Sequence, residues 1–416
     1  MPKTPSLHRT SRSWLLDGPL ATFVPAYVAR LKRGRYACGT VNRSMAALAH
    51  FAHWMSLCRL SADKLDESRV DQFLHDHLPH CGCAHAMRHP REAHAALMPL
   101  LAMLRQQGVI AELPLSAGPI AVELQRYDAH MRDARGLADG TRESRLRIVE
   151  RLLLHKFAAG PLALEELRPD DVRRFIAEQL ELRNTTSNAA AINAALRAYL
   201  RWRTSCGDAV QPLLAAITAP ANWALASLPR SLKPEEVERV LNSFTSTLRA
   251  PKRGYAVVRL ALDLGLRIGE ICRLRLDDID WQQGTLTLKG TKSRRQDALP
   301  LPAVTGKALE DYVRHERPAS RNRAVFVRHM APHDEPVGTD AIRRVVRDAF
   351  RRAGIPHGRS HSLRHTLACR LVNGGSSIKE VADVLRHRSL NTSLIYAKLN
   401  HSALAAVALP WPGSAA

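Results

Sequence analysis

The stretch His361-Ser-Leu-Arg364-His365, continuing through Gly374-Gly375 to Arg386-His387 and Tyr396, constrains this chain more than any other. His361, Arg364 and His365 stand at i, i+3 and i+4, so a helix puts two imidazoles and a guanidinium on one face, suited to holding a phosphate. Leu363, Leu367 and Leu371 repeat at helical spacing, and Gly374-Gly375 after Asn373 predicts the helix stop. Ser377 with Glu380 three residues on forms a capping box for a second helix. Its buried side is Val381, Ala382, Val384 and Leu385, and its end carries His387. Asn391 is expected to cap a third short helix bearing Tyr396. Three consecutive elements each deliver a polar group, and the last delivers a phenol.

Composition narrows the partner. The 416 residues, 45% of them hydrophobic, suffice for two or three domains with their own cores. No run of 18 apolar residues occurs and Met1-Pro-Lys-Thr-Pro-Ser6 lacks the apolar core of a signal peptide, so a cytoplasmic protein with no membrane partner is expected. Sixty-one Lys and Arg stand against 39 Asp and Glu, a net charge of +22. Such an excess favours a polyanion, because each basic contact to a phosphate releases counterions. Seven scattered cysteines fit reduced thiols better than a disulfide frame.

Residues 1–13 predict a basic tail, and apolar spacing predicts helices over Ser44–Leu60, Val70–Leu78 and Ala95–Leu104. The same arrangement recurs downstream. Gly39-Thr40 is echoed by Gly140-Thr141, Leu65/Val70/Phe73 by Leu167/Val172/Phe175, and Ala95-Ala96-Leu97 with Leu101 by Ala194-Ala195-Leu196 with Leu200, at offsets of 101, 102 and 99 residues. This predicts two copies of one small helical bundle, 1–112 and 113–222. The first copy holds His75, His77, His80, Cys81, Cys83, His85, His89 and His94. Two readings stand for these: a zinc site, or a polar connector near DNA. Cys-x-Cys is not the usual Cys-x2-Cys knuckle, and the expectation is no metal. Pro212, Pro220 and Pro229 mark a linker, and Lys233-Pro-Glu-Glu opens the domain 230–416.

In that domain helices are predicted over 234–245 and 254–274. In the second, Val257, Leu260, Ala261, Leu264, Ile268 and Ile271 form the core stripe, and Arg267 lies at its edge beside Glu270. Glu270 either holds the Arg267 guanidinium for phosphate or forms an ordinary i,i+3 ion pair with it. Thr285–Lys289 and Asp297–Leu301 alternate as a hairpin whose turn carries Lys292, Arg294 and Arg295. Thr339–Gly354 predicts a helix with Arg343, Arg344, Arg347, Arg351 and Arg352 on its polar side, a candidate DNA contact together with Arg294 and Arg295. The fold class is mainly α with a small β-hairpin or sheet, α+β.

The pattern His-x-x-Arg-His, a second His about two dozen residues on and a Tyr nine beyond it resembles the tyrosine recombinases, the phage-integrase-type family. Leu264-Gly-Leu-Arg267-Ile-Gly-Glu270 matches the family's first arginine helix, and Lys292, eight residues before Pro300-Leu301, matches its hairpin lysine. The match spans roughly 230–400. One departure is Arg386, where the family usually has Gly before the second His.

The resemblance implies a site-specific recombinase or integrase serving a mobile element or replicon. Its partner would be double-stranded DNA gripped between a core-binding bundle and the catalytic domain, and it would work as a homotetramer on paired sites. The site would comprise Arg267, Lys292, His361, Arg364, His387 and Tyr396, supported by Glu270 and His365. Two arginines stabilise a five-coordinate phosphorus, so no metal, other cofactor or ATP is required. Tyr396 is the nucleophile, Lys292 protonates the leaving 5′ oxygen with Lys289 as rival, His361 assists proton transfer at the nucleophile and His387 bonds the phosphate. The helix predicted over 402–409 docks either on a neighbouring subunit or back on its own domain. The alternative function is a catalytically silent DNA-binding regulator with the same fold.

Overall fold

The computed structural model describes residues 7–84, 86–111, 118–158, 160–182, 186–218, 230–289, 297–387 and 389–399. Lys292, Arg294, Arg295, His85 and the segment 402–411 therefore lie outside the described residues. The described chain falls into two compact units, one drawn from 1–60, 72–100 and 225–416, the other from 61–71 and 101–224. Among the described residues no helix is long and apolar enough to cross a membrane.

The N-terminal helices are α1 (Arg9–Leu16), α2 (Val24–Arg33), α3 (Cys38–Leu57), α4 (Glu67–Gln72) and α5 (Pro90–Gln106). They are followed by α6 (Pro119–Ala129), α7 (Asp139–Phe157), α8 (Pro169–Leu182) and α9 (Thr186–Ser205). Helix α3 is apolar on most of its surface, with Met45, Leu48, Phe51, Ala52 and Met55 all buried, and α1 packs along it. The order of elements is the same in the two segments that echo each other in sequence. A long helix (α3, α7) leads to a short 3-10 turn (Ala62–Lys64, Leu164–Glu166), then a helix (α4, α8), then a closing helix (α5, α9). The echoed positions Leu65, Val70 and Phe73, and Leu167, Val172 and Phe175, are buried in both. In the second unit a polar group also sits in the core: Tyr199 Oη donates to Glu123 Oε1 at 2.7 Å, and Arg203 pairs with the other carboxylate oxygen at 3.3 Å. The buried carboxylate is thus satisfied on both oxygens.

The C-terminal region contains α10 (Pro234–Asn242), α11 (Pro251–Asp263) and α12 (Ile268–Arg273), and a sheet of β1 (Ile279–Asp280), β2 (Thr285–Leu288) and β3 (Asp297–Pro300). Helices α13 (Ala303–His315), α14 (Thr339–Arg352), α15 (Ser360–Asn373) and α16 (Ile378–Val384) follow. Two 3-10 turns, Leu390–Thr392 and Leu394–Leu399, close the described chain. Helix α11 is the hub because Val257, Val258, Leu260, Ala261 and Leu262 bury its circumference against α13, α14 and α15. Each such side chain contributes about 1.5–3 kcal/mol on burial. The strands run antiparallel in the order β1-β2-β3, with Leu286 opposite Leu299.

The structure corrects the sequence expectation at several points: residues 9–13 of the expected tail belong to α1, and Val384, expected on the buried side of α16, is exposed. The predicted helix 254–274 is two helices, α11 and α12, because Gly265 adopts φ +59° and ends α11. Arg267 consequently caps α12 instead of lying on the side of one long helix. The hairpin gains a third strand, β1, only two residues long and too short to show alternation. Asn391 does not cap the last helix; it sits inside the turn Leu390–Thr392.

Gly265 carries both a left-handed backbone and a tight fit, since an added Cβ would stand 2.9 Å from Leu385 Cδ2 and 3.0 Å from Leu367 Cδ2. Gly284 shares the backbone conformation, at φ +60°, but faces open space. Gly284→Ala is expected to cost about 1 kcal/mol of left-handed strain, and Gly265→Ala about 2 kcal/mol because leucines must also shift. Urea unfolding of the two variants measures the difference; equal losses would mean that the packing around Gly265 is slack.

Candidate active site

The site is assembled around one carboxylate. Glu270 is buried on the first turn of α12, where Oε2 accepts the backbone N–H of Arg267 at 2.8 Å and Oε1 accepts Arg267 Nη1 at 2.7 Å. The same group therefore caps the helix and aims the arginine's side chain. Arg386 reaches it from the end of α16, with Nη2 3.2 Å from Oε2. Burial alone would raise the Glu270 carboxyl, but the Arg267 N–H, Arg386 and the Arg267 guanidinium together hold it below its ordinary value. The Glu270 and Arg386 side chains are each only 3% exposed, whereas Arg267 is 26% exposed and free to meet a ligand.

Arg386 adopts φ +56°, the conformation that explains why glycine is usual at this position. An arginine there carries left-handed strain of about 1–2 kcal/mol, offset by contacts a glycine lacks. Nη1 donates to Val384 O at 2.9 Å and Nη2 pairs with Glu270. The departure from the family pattern is thus a structural ion pair.

Arg364 is 5% exposed and donates from its two terminal nitrogens to Gly265 O and Leu385 O. These bonds tie α15 to the break between α11 and α12 and to the end of α16. Burial, then Arg267 and Arg386, push the Arg364 guanidinium from 12.5 down to about 9. Arg267 and Arg386 pair with one carboxylate and Arg364 stands near enough to feel all three, so the pocket holds surplus positive charge. That is the arrangement a bound phosphate neutralises.

Tyr396 lies beside α15, 2% exposed among Ala368, Cys369, Val372, Val381 and Leu385. Its hydroxyl is 2.7 Å from His365 Nδ1. Burial pushes the phenol up to about 12, with Arg364 acting in the opposite direction. Burial, then His361 and Arg364, hold the His365 imidazole below its ordinary value; it is therefore neutral near pH 7, and the phenol donates to Nδ1. The position beside the phenol that the sequence assigned to His361 is occupied by His365. His361 is exposed at the start of α15. Packing around its ring, then Arg364, Arg267 and Arg343, lower its pKa. His387 Nδ1 is 2.6 Å from Ser393 Oγ, a contact that pins the turns carrying Tyr396 to the end of α16.

Lys289 is engaged elsewhere, with Nζ 3.0 Å from the buried Asp278. On α14, Arg343, Arg344 and Arg347 are exposed opposite the buried Ile342, Val346 and Phe350. Arg343 also pairs with Asp340 at 2.8 Å. Arg352 belongs to a different contact: Nε donates to Ser243 O at 3.1 Å and the guanidinium lies 5.3 Å from the Phe244 ring centre. Sequence reasoning missed Arg386 and Ser393 as site residues. The place of Arg386 one residue before His387 was the available signal; nothing marked Ser393.

The phage integrase family profile matches residues 230–403. A Sinorhizobium fredii protein named integrase/recombinase y4rA is 34% identical over 406 residues, covering 96% of each chain. Tyrosine recombinase XerD of Mycobacterium tuberculosis is 30% identical over 310 residues, covering 71% of this chain and 97% of that one. Among solved structures, XerH recombinase bound to a palindromic difH substrate aligns with a TM-score of 0.52 at 18% identity, over 70% of this chain and 89% of that one. A λ integrase tetramer on a Holliday junction aligns at 0.52 and 19% identity, over 74% and 87%.

Burial, then Arg364, Arg267 and Arg386, lower the His387 imidazole from 6.5 to about 4. The unfolded chain then binds the extra proton between those values, so the contribution to stability is complete above pH 6.5 and is lost as pH falls toward 4. Thermal melting of the wild type should drop over that window more steeply than that of His387→Gln. Parallel pH curves would mean that His387 is no more desolvated than in the unfolded chain.

Proposed function

Since the chain belongs to the phage integrase family of tyrosine recombinases, site-specific enzymes that cleave and rejoin DNA, we propose that Tyr396 is its nucleophile and Arg267 and Arg364 its phosphate clamp. The observation that carries this is the convergence of Arg267 and the buried Arg386 on one carboxylate beside a phenol hydrogen-bonded to His365. The Tyr396 oxygen bonds to the scissile phosphorus while the bond to the 5′ oxygen breaks, leaving a 3′-phosphotyrosyl link and a free 5′ hydroxyl. Bond energy is conserved, so the strand is rejoined without ATP, and the arginine charges serve where other enzymes use a metal. His365 accepts the phenolic proton, in place of the role first given to His361. His361 and His387 face the same cations, and His387 bonds the phosphate. Lys292 protonates the leaving oxygen; the engagement of Lys289 with Asp278 supports this choice over its rival.

Tyr396 is buried, so attack requires the turn Leu394–Leu399 to move off α15 and α16 when DNA enters. The exposed Arg343, Arg344 and Arg347, with Arg294 and Arg295, contact DNA phosphates. Residues 1–112 form an added helical module, 113–222 a core-binding bundle and 230–416 the catalytic domain. The assembly on paired sites is a homotetramer, acting in the cytoplasm at the nucleoid on behalf of a mobile element or replicon.

Tyr396→Phe should abolish the covalent protein–DNA adduct and leave binding to a cognate site intact; labelled adduct persisting in the variant would remove Tyr396 from its role. Arg364→Ala should slow cleavage at least 100-fold, as loss of about 3 kcal/mol from a charge-assisted transition-state contact predicts. Single-turnover cleavage measures this.

Lys292→Ala should cripple cleavage of ordinary DNA but not of a substrate with sulfur at the bridging 5′ position, because a thiolate leaves without a proton. Equal slowness on both substrates would assign the lysine to DNA positioning.

A further inference from the structure

The N-terminal module contains a second convergence of chemistry that recombination does not use. His50 on α3, His77 at the end of the π turn Phe73–His77, and Cys81 and Cys83 on the following loop bring four ligating atoms within 4.8 Å of one another. His50 Nε2 lies 3.2 Å from His77 Nε2 and 3.5 Å from Cys81 Sγ, and His77 Nε2 lies 3.8 Å from Cys83 Sγ. Around a tetrahedral zinc with Zn–N near 2.05 Å and Zn–S near 2.3 Å, adjacent ligands are separated by about 3.3 Å for two nitrogens and about 3.5 Å for nitrogen and sulfur. The three measured separations are close to those edges.

The outer contacts fit as well. His50 is fully buried, and its Nδ1 is 2.9 Å from Met87 O. The carbonyl can only accept, so Nδ1 carries the proton and Nε2 presents a lone pair toward the other three groups. Cys83 O is bonded by Arg88 at 3.3 Å, which further fixes the loop.

We propose that His50, His77, Cys81 and Cys83 bind one zinc ion as a closed Cys2His2 structural site. Four protein ligands leave no position for substrate, so the metal holds the fold and takes no part in DNA cleavage. It would staple α3 to the π turn and to the loop that leads into α5. This revises the expectation of no metal, which rested on the loop's sequence spacing alone; His50 stands 27 residues before His77 and reads as part of a buried helix.

The test uses the full-length protein, purified under reducing conditions without added chelator. Elemental analysis should find one zinc per chain. Replacement by cobalt(II) should give the intense d–d bands of a tetrahedral site and a thiolate-to-cobalt charge-transfer band. Cys81→Ser with Cys83→Ser should lose the charge-transfer band, whereas Cys58→Ser with Cys206→Ser, both exposed, should retain it. If the first pair fails to fold, alkylation of the wild type replaces it: zinc should shield Cys81 and Cys83 but not Cys38, Cys58 or Cys206. Absence of zinc together with a featureless cobalt titration, an unchanged spectrum in the Cys81/Cys83 variant, alkylation of Cys81 and Cys83 unaffected by zinc, or recovery of these two residues as a disulfide would each overturn the proposal.

Discussion

The C-terminal region depends on keeping one carboxylate charged in its interior. Glu270 is buried, and an isolated ionised carboxylate there would cost several kcal/mol or take up a proton. Three contacts prevent this: the Arg267 backbone N–H, the Arg267 guanidinium and the Arg386 guanidinium. Each also performs a second task, capping α12, orienting Arg267 and closing the end of α16. Removing the carboxylate would leave three arginines repelling one another in a pocket without a counterion. The surplus of positive charge is tolerable only because Arg364 spends its hydrogen bonds on two carbonyls and Arg267 remains partly in water.

That electrostatic arrangement also governs the proposed nucleophile, Tyr396. Arg364 favours the Tyr396 phenolate while burial among aliphatic side chains disfavours it, and burial dominates. The phenol therefore rests protonated against His365. The turns that carry it are short 3-10 segments packed on α15 and α16, and His387 is tied to Ser393 between them.

Much of this was legible in the sequence because periodicity and spacing encode it directly. The capping box at Ser377 and Glu380 and the separation of His361, Arg364 and His365 are local patterns that became the predicted helices, and the first half of the 254–274 stripe became α11. The failures came where a distant residue decides the local conformation. Gly265 reads as one more position in a helix until Leu367 and Leu385 press against it, and the break it makes moves Arg267 to a helix cap. Arg386 reads as an anomaly until Glu270, 116 residues away in sequence, is beside it. His365 read as a supporting residue because helical spacing does not say which of three side chains a later turn will meet.

The internal echo gives a physical reason for the histidine and cysteine cluster. At the offsets of 101 and 102 residues that relate the two echoing segments, His50 aligns with Arg151 and His77 with Gln179. In the second copy that pair is joined directly, Arg151 Nη1 donating to Gln179 Oε1 at 2.6 Å. Two neutral imidazoles cannot reproduce such a charge-assisted bond. The first copy has three more residues between its second and third helical motifs, 22 from Phe73 to Ala95 against 19 from Phe175 to Ala194. Its longer loop carries Cys81 and Cys83 to the two histidines. A metal bridging all four would restore the link between the same two helical segments that the second copy makes with one hydrogen bond. It would also tie down a loop of about a dozen residues whose closure otherwise costs conformational entropy.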